Sequence, residues 1–262
     1  MRGRRFGADD LMGYKEGMTL AVERLAARPW SDEQLEPLFG GAFPGFITAD
    51  QGVKEYIGRV RTWFPELNII LIDSGDVPVA TGWGVPIQWS GDIGDLPAGY
   101  TDTLRRAVDG RERANEPDTL VICGGIVSPA RTGQGVAAEL ISALRELATT
   151  AGWPRVIAPV RPTLKPRYPL TPIEEFARWT RPDGAPLDPW LRTHWRLGGR
   201  IIATAPQSQT MTGTVEEWQA WTGMVFPSTG DYVIPDGLST LHIDREADSG
   251  TYTEPNVWVQ HR

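Results

Sequence analysis

The sequence predicts an α/β (α+β) chain of alternating strands and helices, and three stretches carry that prediction. Residues 119–150 open on a short apolar run, Leu120-Val121-Ile122-Cys123, suited to a central strand. Glycines follow, and then Val136, Leu140, Ile141, Leu144 and Leu147 recur at helical spacing. Residues 50–85 place Val53, Tyr56, Ile57, Val60 and Trp63 on one helix face, then two strands about the turn Ser74-Gly75-Asp76. Residues 188–203 read as a helix capped by Asp188, with Pro189 in its first position, ended by Gly198-Gly199 and followed by a strand.

Taken in order, residues 1–15 read as a loosely ordered tail and 18–24 as a first strand. Ser31 caps a helix over 31–39, with Glu33 and Gln34 behind it. The helix over 50–64 leads to strands at 68–73 and 77–85, a hairpin with Gly82, Trp83 and Gly84 at its far end. Residues 86–117 are a longer excursion with a helix over 100–108. Gly124 and Gly125 inside the strand at 120–128 signal a bulge or a close backbone approach. A strand at 153–160 follows the helix that ends near Ala148. Residues 159–189 hold eight prolines, which forbid a central strand there and leave one short helix over 172–180. That stretch is either an ordered excursion or a surface loop. Beyond it, 231–234 and 256–259 alternate as short strands that close the sheet or build an added lobe. The expected division is a tail at 1–15, a core at 16–205 and a C-terminal extension at 206–262.

Bulk properties narrow the function classes. A net charge of −7 argues against a nucleic-acid footprint. No apolar run has transmembrane length, and the basic start lacks the apolar segment of a secretory signal. One cysteine, Cys123, excludes an internal disulfide and fits a reducing cytoplasm; mid-strand, it reads as a core thiol rather than a nucleophile. Three histidines without close ligand spacing predict no metal site. Eleven tryptophans serve the core or line an apolar pocket.

A glycine turn that opens a helix after a strand presents unpaired N–H groups and the positive end of a helix dipole, so Gly133 and Gly135 mark either an anion site or a plain structural turn. The turn lacks the Gly-Lys-Ser/Thr ending of a P-loop and the spacing of a dinucleotide fingerprint. His194 is either a proton-transfer residue or an ordinary helix-face histidine; His242 and His261 read as surface or structural.

Val127-Ser128-Pro129, then Gly133-Gln134-Gly135-Val136-Ala137 and the helix behind them resemble the pyrophosphate loop of GNAT N-acetyltransferases. The family's Arg or Gln falls here on Thr132, with Arg131 displaced by one residue. The resemblance spans about residues 20–205. It implies a central, mixed, mostly antiparallel sheet, splayed between its fourth and fifth strands and flanked by helices, with acyl-CoA in the gap. It further implies that Arg131, Thr132, Gly133, Gln134, Gly135, Val136 and Ala137 bind the cosubstrate's pyrophosphate and that Ile126 and Val127 align its thioester end. His194 stands where the family's Tyr-x-x-x-Gly-Phe motif carries the acid for the departing thiolate. Trp83 and Arg161 are the candidates for the substrate pocket. The expected reaction is transfer of an acetyl or short acyl group from acyl-CoA to the amine of a small molecule. The expected assembly is a cytoplasmic monomer or homodimer with no metal and no nucleic-acid or membrane partner.

The strand at 120–128 has no carboxylate where many GNAT enzymes keep a general base. Residues 158–170 and 188–202 are also similar to the GNAT-like decarboxylase domains that load polyketide synthases, which use a histidine and a threonine. That alternative assigns His194 and Thr163, and gives Arg161, Lys165 and Arg167 either a carboxylate or CoA phosphate to bind or only a loop to solubilise. A third class is a module that binds acyl-CoA without chemistry.

Overall fold

The computed structural model describes residues 20–39 and 43–261; the expected tail at 1–15 lies outside them. The apolar, β-branched runs form strands β1 (Ala21–Arg24), β2 (Asn68–Ile72), β3 (Pro78–Ile87), β4 (Thr119–Val127) and β5 (Arg155–Val160). Four more follow: β6 (Arg200–Gly213), β7 (Gly230–Val233), β8 (Thr240–Asp244) and β9 (Ser249–Gln260). They make one sheet in the order β1-β2-β3-β4-β5-β9-β8-β7, with β6 on the other edge of β9. All pairs are antiparallel except β4 with β5.

The helices are α1 (Asp32–Phe39), α2 (Gln51–Trp63), α3 (Tyr100–Glu112), α4 (Val136–Thr150), α5 (Ile173–Phe176), α6 (Pro189–Arg196) and α7 (Val215–Thr222). Their starts follow from side chains that accept from otherwise orphaned N–H groups. Ser31 and Gln34 bond reciprocally at α1, and Asp50 accepts from the Val53 N–H at α2. Helix α4 buries Val136, Leu140, Ile141 and Leu144 as its spacing predicts, with Ala148 buried beside a half-buried Leu147. Each leucine or isoleucine there contributes about 1.5–3 kcal/mol by leaving water.

Strands β4 and β5 pair only where Thr119, Leu120 and Val121 meet Arg155, Val156 and Ile157. Beyond Val121 and Ile157 they part, as the splayed-sheet expectation requires. Two local features cause this. In β4, Trp83 pairs with Gly124 and Gly84 with Ile122, so Cys123 is an extra residue, and such a bulge bends its strand. In β5, the Val156 carbonyl accepts from the N–H of His261, just past β9, so strand alternation turns Pro159 toward β4, where it has no N–H to give.

The chain departs from the expected layout at two places. Trp83 and its flanking glycines lie in the middle of β3, at the bulge, not at the end of a hairpin. The boundary expected between 205 and 206 falls inside β6, and β9 inserts between β5 and β6. Residues 206–262 therefore continue the sheet. They also bury a second apolar cluster that includes Phe46, Met211, Trp218, Phe226 and Tyr252.

Charge is buried at the end of β5. Glu254 of β9 is fully buried and takes the Arg161 guanidinium and the Tyr252 hydroxyl. Arg161 also donates to the Asp236 carbonyl at 2.7 Å. Lys165, 1% exposed, donates to the carbonyls of Tyr168 and Leu238, and burial pushes its ammonium down to about 8. These bonds pin the proline-rich stretch to the β7–β8 region, which makes it an ordered excursion. Glu254→Ala strands the half-buried Arg161 guanidinium and the buried Tyr252 hydroxyl, and the expected loss is about 3–5 kcal/mol, read from urea unfolding. Loss below about 1 kcal/mol contradicts the pinning role.

Candidate active site

The turn between β4 and α4 lies at the open end of the β4–β5 gap. Gly133 and Gly135 adopt left-handed φ values of +78° and +88°. A side chain is strained in that conformation, whereas glycine is not. Among the described residues beyond its chain neighbours, no atom lies within 4 Å of where a Cβ on either would stand, so the main chain there faces open space. Gln134 N–H is spent on the Arg131 carbonyl at 3.3 Å. The N–H groups of Gly133, Gly135, Val136 and Ala137 bond no described residue. Four free donors at the positive end of a fifteen-residue helix suit a phosphate.

Arg131 does not face that cradle freely: its guanidinium pairs with Asp73 at the β2–β3 turn. The Gln134 side chain turns back to the Ala130 carbonyl, and Thr132 is held by its N–H to Pro129. The cradle is thus main-chain in character. Along β4, the Ser128 N–H bonds Val79 on β3. Alternation then commits Ile126 to β3 and turns the N–H and C=O of Gly125 and Val127 into the gap. Of the two expected aligning residues, only Val127 offers its main chain to the gap, and Gly125 joins it.

His194 lies on α6, which Asp188 caps by accepting from the N–H groups of Trp190 and Leu191. The ring is 1% exposed. Its Nδ1 is 2.8 Å from Nε2 of His261, and its own Nε2 is buried without a partner. Of the two readings left for His261, surface or structural, the first does not hold: it is the buried partner of His194. Trp190 meets His194 edge-on at 4.7 Å between centroids. Its Cζ2 also lies 3.8 Å from where a Cβ on Gly125 would stand, so Trp190 joins His194 to the gap. Trp190 was one of eleven tryptophans in sequence, distinguished only by its place one helical turn before His194.

Burial pushes His194 down to about 3, with His261 adding to the effect, and burial with the nearby Arg145 pushes His261 down to about 4. Both rings are neutral near pH 7. Their folded values lie below the unfolded value of 6.5, so the unfolded chain takes up protons first on acidification. The stability this pair contributes is fully present above pH 6.5 and is lost as pH falls through about 4 and about 3. Between those limits each ring costs up to about 1.4 kcal/mol per pH unit. Melting temperature is expected to drop over this window, and to drop less in His261→Gln. An equal drop in the variant contradicts the assignment.

Thr163 is exposed and makes no hydrogen bond to His194; its neighbour Leu164 donates its N–H to Asp188 instead. The two residues of the decarboxylase alternative are not joined. Arg161 is occupied by Glu254 and does not stand free as a pocket cation. Trp83 lies on the α3 side of β4, over Gly124, where any Cβ would meet its ring at 2.2 Å. Its Nε1 is buried and unpaired, with the Tyr100 hydroxyl beside it and outside bonding geometry; burial holds that hydroxyl above its usual range. Cys123 is buried at the bulge, and burial holds its thiol well above the usual range, so it is an inert core thiol. Among the described residues, no helix is long and apolar enough to cross a membrane and no cluster of three or more His, Cys, Asp or Glu is placed to hold a metal.

No family model matches the chain. Two solved structures share its architecture at a TM-score of 0.56 each. The loading GNATL domain of CurA from Lyngbya majuscula is 16% identical over 93% of this chain and 97% of its own. The GphF GNAT-like decarboxylase, solved with isobutyryl-CoA, is 17% identical over 93% of this chain and 98% of its own. The chain has the GNAT fold. Among curated proteins, the arginine N-acetyltransferase avaD of Aspergillus versicolor is 29% identical over 272 residues, 92% of this chain and 93% of its own.

Proposed function

We propose that this GNAT-fold protein is an acyltransferase that moves an acetyl group from acetyl-CoA to the amine of a small molecule, with arginine or a related guanidino amino acid as acceptor. One observation carries the reading: four unpaired main-chain N–H groups stand at the mouth of the gap between β4 and β5, on the chain's own GNAT frame. The acceptor class rests on the near-full-length relative named for arginine, and a chain of net charge −7 favours the approach of a cation.

In this reading Gly133, Gly135, Val136 and Ala137 hold the pyrophosphate by their N–H groups. Gly125 and Val127 line up the thioester arm through main-chain bonds and polarise its carbonyl. His194 handles the proton. A neutral imidazole has no surplus proton to give, so His194 does not begin as the general acid. It takes a proton from the amine at Nε2 and returns it to the sulfur that leaves. One group thus serves both half-steps, which fits a β4 without any carboxylate. A cytoplasmic monomer or homodimer, working without nucleic acid or membrane, completes the reading.

The test is release of free CoA from acetyl-CoA across a panel of amines. Release that depends on arginine or a guanidino amine, at a rate above other amino acids, is expected. Release with arylalkylamines and none with arginine overturns the acceptor class.

A further inference from the structure

The proposed chemistry needs only His194, and His261 has no task in it. His261 is nonetheless built into the same place. It is 8% exposed, it sits one residue beyond the last paired position of β9, and its main chain is fixed by its N–H to the Val156 carbonyl at 2.8 Å. Its Nε2 meets Nδ1 of His194 at 2.8 Å. Room for this contact comes from Gly199. A Cβ there would stand 2.7 Å from the His194 carbonyl and 3.1 Å from Cε1 of His261. Gly199 is also the position where the GNAT motif carries phenylalanine.

Neutral imidazoles carry one proton each, on one of two nitrogens. Two facing nitrogens at 2.8 Å share a single proton, so fixing one ring's tautomer fixes the other's. The groups that face the pair are few: Trp190 against His194 from α6, and Arg145 near His261 from α4. Nothing else described hydrogen-bonds either ring: Nε2 of His194 and Nδ1 of His261 are each buried without a partner. We infer that His261 is a positioning residue: its Nε2 accepts the Nδ1–H of His194, which holds that ring in one tautomer and one orientation and leaves the Nε2 lone pair of His194 for proton transfer. The inference rests on the catalytic reading of His194. A triad aspartate acts comparably on its histidine, by orientation and tautomer choice rather than by contact with substrate.

Glutamine can place an amide group near the former Nε2, whereas asparagine is too short, so the two variants separate positioning from bulk burial. His261→Asn is expected to lower kcat about tenfold or more with little change in KM for acetyl-CoA, and His261→Gln to recover most of the loss. With only three histidines, nitrogen-15 labelling resolves each ring's tautomer by its two-bond nitrogen–proton pattern. His194 should show one tautomer in the wild type and in His261→Gln, and a mixture in His261→Asn. Mixed tautomers in the wild type, or equal kcat in the two variants, overturn the inference. If the wild type turns over no acyl-CoA, the proposed function fails, while the nitrogen spectra still decide whether His261 sets the tautomer.

Discussion

His194→Ala lowers turnover about 10²–10⁴-fold and leaves KM for acetyl-CoA within about twofold. The split follows from where the residue sits. In the proposed function the cradle at the start of α4 supplies the binding contacts, and His194 is on another helix, behind Trp190. Its Nε2 is buried and unpaired, so removal costs no hydrogen bond to that atom, though it leaves His261 Nε2 without a partner. A melting curve separates the catalytic loss from any loss of fold. If acetyl-CoA affinity falls and kcat does not, His194 is a packing residue and the proton must be handled elsewhere.

Gly135→Asp raises the Kd for acetyl-CoA at least about 100-fold, equivalent to about 2.8 kcal/mol. Two effects act together. The carboxylate enters the cradle that the four N–H groups reserve for an anion, and the residue must hold a φ of +88°. Gly135→Asn separates them, because asparagine tolerates the left-handed region and brings no charge. The asparagine variant should lose much less affinity than the aspartate one. Calorimetric titration with acetyl-CoA reads both, and wild-type affinity in Gly135→Asp removes the turn from the site.

The sequence carried the elements whose cause is local. The caps at Ser31 and Asp188, the spacing of Leu140 and Leu144, and the stop at Gly198 all act within one turn of chain, and all stand where expected. The glycine turn was legible for the same reason, since Gly133 and Gly135 do their work through φ and the absence of a side chain. What depended on register was not legible. Cys123 becomes the extra residue only when β3 is laid beside β4, and β9 finds its place between β5 and β6 through pairs 37 to 103 residues apart in the chain. His261 illustrates the limit most directly. Nothing near it in the chain signals a function, and its partner lies 67 residues away. Arg161 misled in the opposite sense: a cation beside the expected pocket, it is consumed by Glu254, a residue 93 positions on.

The most direct measurement of the central claim is mass spectrometry of the purified protein with acetyl-CoA, with and without arginine, and with malonyl-CoA alone. The account predicts an N-acetylated product and free CoA only when acetyl-CoA and the amine are present together, and malonyl-CoA left intact. Conversion of malonyl-CoA to acetyl-CoA without any acceptor, alongside no acetylated amine, contradicts it.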